Sequence, residues 1–305
     1  MGLLVNGEWK DVWYDTAATG GRFERKAASF RQWLDPSPDA RFPATAGRYH
    51  LYVSYACPWA HRTLIVRALK GLEQAISVSA VDPVMLEQGW TFSPQHPDPI
   101  GGAQRLYERY ITADPTYTGR VTVPVLWDKQ GNTIVSNESS EIIRMLNDSF
   151  AVATGPDLYP EALRAEIDRI NDRVYTTVNN GVYRAGFAST QDAYEEAVDA
   201  LFTTLDELES HLAAREYLVG EQLTEADIRL FTTLIRFDPV YHGHFKCNVR
   251  RLVDYPRLRA HTQRIYALPG VNATVYLDHI TTHYYASHRT INPTGIVPRG
   301  PLQWP

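Results

Sequence analysis

Tyr49-His50-Leu51-Tyr52-Val53-Ser54-Tyr55-Ala56-Cys57-Pro58-Trp59-Ala60-His61-Arg62-Thr63-Leu64 holds a strand, a turn and the start of a helix. Tyr49 to Ser54 alternates aromatic and aliphatic residues, a run of strand formers. Pro58 sits where a first helical turn begins, a position that tolerates a missing N–H and a fixed φ. From Leu64, apolar residues return at Ile65, Ala68, Leu69 and Leu72, at helical spacing. Cys57 therefore falls at the turn, just ahead of a helix N-terminus. Unpaired N–H groups and the helix dipole there favour a thiolate, and His61 and Arg62 add positive charge. The plainer reading, a buried cysteine acting as a small hydrophobe, fits the placement less well, because the turn puts the sulfur at a mouth. Ala60 stands where a second cysteine of a CxxC pair would be, so disulfide chemistry at Cys57 must use an outside thiol.

The chain has 305 residues, length for two domains with real cores. Hydrophobic content of 44% and charged content of 21% fit a soluble globular protein. A net charge of −5 gives no electrostatic case for nucleic acid, and no run approaches the ~18 apolar residues of a membrane span. The start Met1-Gly2-Leu3-Leu4-Val5-Asn6 lacks the basic and apolar regions of a signal peptide, and Asn6 occupies the place of the Ser or Thr a myristoylation signal needs. Two cysteines make no disulfide framework, and a reducing cytoplasm is the expected compartment.

Residues 1–48 carry turn signals and scattered aromatics, the mark of an ordered arm and not of a free tail. Ile76–Val81 alternates as a second strand. Residues 82–120 form a long insertion with Gly89-Trp90 and a short helix near Leu106–Ile111, and loops of this length usually have a function. Val121-Thr122-Val123-Pro124-Val125-Leu126-Trp127 reads as a strand with a proline inside it, a sign of an irregular start or a cis peptide. A turn at Lys129-Gln130-Gly131-Asn132 leads into Thr133–Ser136, and Asn137-Glu138-Ser139-Ser140 supplies cap residues for a helix. Strand, helix, strand, long loop, strand, strand, helix is the thioredoxin-like order. After residue 162 the period becomes helical, over Leu163–Asn180, Gln191–Ala214, Thr224–Arg236, Pro256–Ala267 and Val271–Ser287. The expected division is an arm (1–48), a thioredoxin-like domain (49–147), a linker (148–162), an all-helical domain (163–287) and a tail (288–305). The fold class is α/β plus all-α.

A thioredoxin-like half followed by a helical half is similar to a cytosolic glutathione transferase. Cys57-Pro58-Trp59-Ala60-His61-Arg62, Gly89-Trp90-Thr91-Phe92, Val121 to Asp128, Ser136 to Met145, Arg236-Phe237-Asp238-Pro239-Val240-Tyr241, His244-Phe245-Lys246-Cys247-Asn248 and Ile291 to Ile296 together resemble the glutathionyl-hydroquinone reductases. These are the Xi-class, cysteine-type glutathione transferases, and the match spans nearly the whole chain. The resemblance implies that Cys57 is the nucleophile. It implies that Val123, ahead of a cis Pro124, pairs its backbone with the cysteinyl unit of glutathione. Glu138 and Ser139 would hold the γ-glutamyl end, with Trp90 and Arg120 closing over the peptide. Tyr183, Tyr241 and Tyr284 would line the aromatic substrate site. It further implies glutathione as co-substrate, no metal, a glutathionyl-hydroquinone as the second small-molecule partner, a cytoplasmic homodimer, and no nucleic acid or membrane partner.

The chemistry agrees with the residues. A Cys57 thiolate attacks the sulfur of the conjugate and leaves a mixed disulfide, which a second glutathione resolves. The aryl carbon must be protonated, and tyrosine phenols both donate hydrogen bonds and present flat faces to a ring. Rival readings on the same fold are a general thioltransferase or dehydroascorbate-type reductase, a conjugating glutathione transferase, and a silent binding module. Conjugation would use a Tyr or Ser to activate glutathione, against which the cysteine argues. His279 and His283 stand at i, i+4, but without the Glu of an H-E-x-x-H site they read as structural. Cys247 reads as buried at a helix end. Tyrosines at helical spacing are usually core, and Glu138 and Ser139 would cap a helix with no ligand at all.

Overall fold

In a computed structural model of the chain, the described residues are 2–301 and Trp304. The expected arm and tail also take in Met1, Leu302, Gln303 and Pro305, which lie outside the described residues. The chain divides into two units. Met1–Trp13, Ala27–Pro156 and Ala273–His283 make the first; Tyr14–Lys26, Asp157–Asn272 and Tyr284–Pro305 make the second.

The first unit is built on strands β3 (Tyr49–Val53), β4 (Ile76–Ala80), β6 (Val125–Asp128) and β7 (Thr133–Ser136), ordered β4-β3-β6-β7. β3 runs parallel to β4 and antiparallel to β6, and β6 pairs antiparallel with β7. Helix α1 (Pro58–Leu69) makes the crossover that a parallel pair requires. It packs with α3 (Ser139–Asp148), whose Ile142, Ile143, Met145 and Leu146 form one buried stripe. With helices on the sheet, β3 is buried along its whole length, which is why it carries Tyr, Leu and Val on both faces. Arg48 closes one end of the sheet through Nε on Asp128 Oδ1 at 2.8 Å. This is the thioredoxin-like arrangement.

Two details differ from the sequence reading. The third strand begins at Val125, after a cis Val123–Pro124 bond, so Val121 to Pro124 precede the ladder that the proline could not join. The arm also adds a sheet of its own. β1 (Leu3–Val5) turns through Asn6 (φ 49°) and Gly7 (φ 78°) into β2 (Glu8–Lys10), a positive-φ pair suited to a tight hairpin. β1 pairs on its other side with β5 (Gly119–Arg120). The short helix of the insertion is α2 (Leu106–Ala113).

The second unit is helical: α4 (Arg164–Val174), α5 (Gly181–Gly186), α6 (Gln191–His211), α7 (Glu225–Leu234) and α8 (Pro256–Tyr266). All ten residues of α7 are buried, so it forms the axis of the unit. Thr224 and Asp227 close its N-terminus as a capping box, with Thr224 N–H donating to Asp227 Oδ2 at 2.9 Å. The helix expected over Leu163–Asn180 leaves α geometry at Val174 and ends in a π-turn, Tyr175–Asn179, and α5 follows where a break was expected. A second π-turn, Phe237–Tyr241, follows α7. The helix expected over Val271–Ser287 is a 3-10 turn (Asn272–Thr274) and then α9 (Leu277–Ser287), which gives residues to both units. No helix among the described residues is long and apolar enough to cross a membrane.

Candidate functional site

Cys57 is the N-cap of α1, with extended backbone (φ −75°, ψ 121°), and Pro58 opens the helix. Its carbonyl accepts the first helical bond from His61 N–H at 2.9 Å, so the residue belongs to the helix while its side chain precedes it. The thiol is half-buried, and Sγ lies 3.5 Å from the Val123 carbonyl oxygen. Among the described residues the Val123 N–H meets no acceptor. A peptide laid beside the sulfur would find a main-chain donor there. The sequence signal, a cysteine before a proline at a strand-to-helix turn, locates the sulfur; its neighbour Val123 follows from the proline that interrupts β6.

Glu138 is the N-cap of α3, and its Oε1 accepts from Ser140 N–H (3.0 Å) and Oγ–H (2.7 Å). The carboxylate thus caps the helix whether or not a ligand is bound, as the plainer sequence reading held. Ser139 is buried, and its Oγ accepts from Arg62 Nη1 at 3.4 Å. Its N–H has no acceptor among the described residues, and a helix N-terminus with such a donor suits a carboxylate. Arg62, expected to bias the Cys57 thiol, is buried beneath this helix start instead of at the protein surface.

Trp90 is buried and stacks on His283, with ring centroids 4.9 Å apart and planes at 24°. His283 is fixed in turn by the Pro83 carbonyl, 2.9 Å from Nδ1. Gly89 before it has φ +66°, and a Cβ there would lie 2.6 Å from the Trp9 ring, so only glycine fits. Arg120 is half-buried in β5, and its Nη1 donates to the Val12 carbonyl of the arm. Pairing of His283 with Trp90 was missed at the sequence level, where the i, i+4 spacing of His279 and His283 drew attention to metals. His279 packs instead against Tyr55 and His96.

In the second unit the three tyrosines converge. Tyr284 Oη lies 2.5 Å from Tyr183 Oη and 3.0 Å from Tyr241 Oη, which makes it the centre of a phenol triad. Tyr241 closes the second π-turn, with its N–H on the Arg236 carbonyl at 3.2 Å, and Tyr183 follows the first. π-turns are uncommon and recur at functional sites, because the extra residue re-aims a side chain. Burial and the neighbouring phenols push the Tyr284 hydroxyl well above the ordinary tyrosine range, so it stays a neutral donor. Cys247 is fully buried, with its N–H on the Tyr241 carbonyl at 3.0 Å, and burial pushes its thiol up, which disfavours the thiolate.

The chain matches the profile described as the glutathione S-transferase N-terminal domain over residues 56–149, and the C-terminal domain over residues 191–264. It is 59% identical to the glutathionyl-hydroquinone reductase PcpF of Sphingobium chlorophenolicum, with 99% of this chain and 97% of that one covered. The crystal structure of the glutathione S-transferase Xi from Phanerochaete chrysosporium is 56% identical, with a TM-score of 0.89 over 92% of this chain and 98% of that one. The glutathione-bound structure of YqjG, a glutathione transferase homologue from Escherichia coli K-12, is 52% identical, with a TM-score of 0.89 over 99% and 96% of the two chains.

Proposed function

Since the chain belongs to the Xi-class glutathione transferases, the family of the glutathionyl-hydroquinone reductases, we propose that it reduces glutathionyl-hydroquinones to hydroquinones by way of Cys57. The observation that carries the reading is the placement of the Cys57 sulfur at a helix N-terminus, 3.5 Å from the backbone of Val123 before cis-Pro124, with alanine at position 60.

In the first step the Cys57 thiolate attacks the glutathionyl sulfur. The S–C(aryl) bond breaks, an S–S bond forms, and the aryl carbon takes a proton, so the ring gains two electrons and the two sulfurs lose them. In the second step a glutathione thiolate attacks the mixed disulfide, releasing glutathione disulfide and restoring Cys57. The Val123 N–H meets the cysteinyl unit of glutathione, and the N–H of Ser139 takes its γ-glutamyl carboxylate. Glu138 takes the amino group through the oxygen not used in capping. Trp90, braced by His283, and Arg120, turned from Val12, close over the peptide. Tyr183, Tyr241 and Tyr284 receive the ring: one phenol supplies the ring proton, and the others bond the quinol oxygens. The reaction needs no metal. We further place the protein in the cytoplasm as a homodimer, in keeping with its content of two cysteines and its family.

Mixing the protein with a glutathionyl-hydroquinone and glutathione should release hydroquinone and glutathione disulfide one for one. Cys57→Ala should abolish this with the fold intact, and Cys247→Ala should retain most of it. Near-normal turnover by Cys57→Ala would remove the mechanism. Conjugation of glutathione to an electrophile in place of quinol release would favour the conjugating transferase.

A further inference from the structure

We propose that Tyr276 is a positioning residue for Cys57: its ring, stacked on Tyr55, clamps the turn that delivers the sulfur to the start of α1. The inference rests on the reading of Cys57 as the nucleophile and deepens it. Four residues make the turn. Cys57 N–H donates to the Ser54 carbonyl at 3.1 Å and Ala56 N–H to Ser54 Oγ at 3.3 Å, so Tyr55 and Ala56 are its two corners. Ser54 and Ala56 are buried, and Tyr55 has the one large side chain of the four. Whatever holds the Tyr55 ring therefore holds the corner that leads into the sulfur.

The holder comes from far along the chain. Tyr276 stacks on Tyr55 with ring centroids 3.8 Å apart and planes at 14°, and His279 meets the same ring at 5.3 Å and 70°. The Tyr276 carbonyl accepts from Ile280 N–H at 3.0 Å, and Ile280 is fully buried, so α9 fixes the backbone that carries the ring. Two residues earlier, Thr274 Oγ1 lies 2.8 Å from Nε2 of His61, 213 residues away. His61 is fully buried, and its N–H takes the Cys57 carbonyl at 2.9 Å. Cys57 is thus gripped from both sides, through Tyr55 two residues before it and through His61 four residues after. Both grips come from Ala273–His283, which belongs to the first unit although the rest of that unit ends at Pro156. The N–H groups and dipole of a helix start favour an anion only within about one turn, so a sulfur that leaves this position loses thiolate character. A flat stacked pair holds a ring in one orientation, which an aliphatic side chain of equal volume does not.

The test follows Cys57 in the full chain in two ways: iodoacetamide alkylation against pH, and reduction of 2-hydroxyethyl disulfide by glutathione. In Tyr276→Ala the alkylation midpoint should rise by about half a pH unit towards the ~8.5 of a free thiol. The kcat for the disulfide should fall about 10-fold, as for a misplaced reacting atom. Tyr276→Leu, which fills the space without a flat face, should do the same, and Tyr276→Phe should recover both quantities. Thr274→Val removes only the hydroxyl facing His61 and should move the midpoint in the same direction. A Tyr276→Ala or Tyr276→Leu protein with the midpoint and kcat of the natural chain would overturn the clamp, even if it melted earlier, because the contact would then serve stability alone. Failure of Tyr276→Phe to recover them would overturn the stack as their cause. Reduction of the disulfide by the natural chain without reduction of a glutathionyl-hydroquinone would overturn the proposed function and leave the clamp in place.

Discussion

Replacing Tyr284 by phenylalanine keeps the ring and removes the oxygen that joins the other two phenols. Tyr284 is 1% exposed, and its hydroxyl contacts Tyr183 and Tyr241 at 2.5 and 3.0 Å, so the substitution breaks two buried hydrogen bonds at once. Each contributes about 1 kcal/mol net, and each partner oxygen left behind adds a further desolvation cost, for a total of about 2–4 kcal/mol of stability. Tyr183→Phe and Tyr241→Phe each break one of these bonds and should cost about half as much. In turnover, loss of a donor needed in the transition state should lower kcat for glutathionyl-hydroquinone reduction about 10- to 100-fold. Reduction of a simple disulfide at Cys57 needs no ring proton and should be spared. Denaturant melts give the first quantity and parallel steady-state assays the second. A double-mutant cycle should show strong coupling: with Tyr284 already Phe, Tyr241→Phe should add little. If Tyr284→Phe destabilised the protein no more than Tyr241→Phe, the triad would not have the centre the distances give it. Equal losses in both reactions would remove the tyrosines from the ring chemistry.

Glu138→Gln keeps an oxygen to accept from Ser140 and loses the negative charge, so KM for glutathione should rise several-fold with the melting temperature unchanged, whereas Glu138→Ala should also lose a cap of about 1 kcal/mol. An unchanged KM in Glu138→Gln would remove Glu138 from the pocket. At the helix start, Cys57 should alkylate with iodoacetamide at a midpoint below the ~8.5 of a free thiol, and a midpoint at that value would contradict the placement argument. His50 on β3 lies between Ser77 Oγ (2.8 Å) and Ser79 Oγ (2.7 Å), and burial pushes its imidazole down to about 4. The unfolded chain takes up that proton near pH 6.5, so the contribution is present above 6.5 and is lost as the pH falls towards 4, by up to ~3 kcal/mol. Thermal melts across that range should show a shallower acid slope for His50→Gln than for the natural chain, and parallel slopes would assign the acid sensitivity elsewhere.

What could be read from the residues alone was local. The Cys57-Pro58 turn, the capping residues of α3 and the strand periods each lie within a few positions, and the structure has them there. Pro124 told that a strand was interrupted, but not that the ladder would wait until Val125. The π-turns left no sequence period, because they arise where Tyr241 and Tyr183 must turn towards partners distant in sequence. Val271 to Ser287 looked continuous since apolar spacing survives a break of two residues. The phenol triad joins positions 183, 241 and 284, a convergence that packing makes and spacing does not announce. Trp90 and His283 are a stacked pair for the same reason.

The arm has a consequence for the order of events during synthesis. Leu3 is made long before Arg120, its strand partner, and Arg22 long before Glu196, 174 residues further on. At roughly 5–20 residues per second, Arg22 waits on the order of ten to thirty seconds for that partner. Through most of this interval Phe23 lacks the Phe187 ring it packs against, and a chaperone or a protease has its first opportunity there. The segment Tyr14–Lys26 therefore docks long after it is made, and the arrival of α5 and α6, not the growth of the N-terminal sheet, sets when Arg25 reaches the ring of Tyr183.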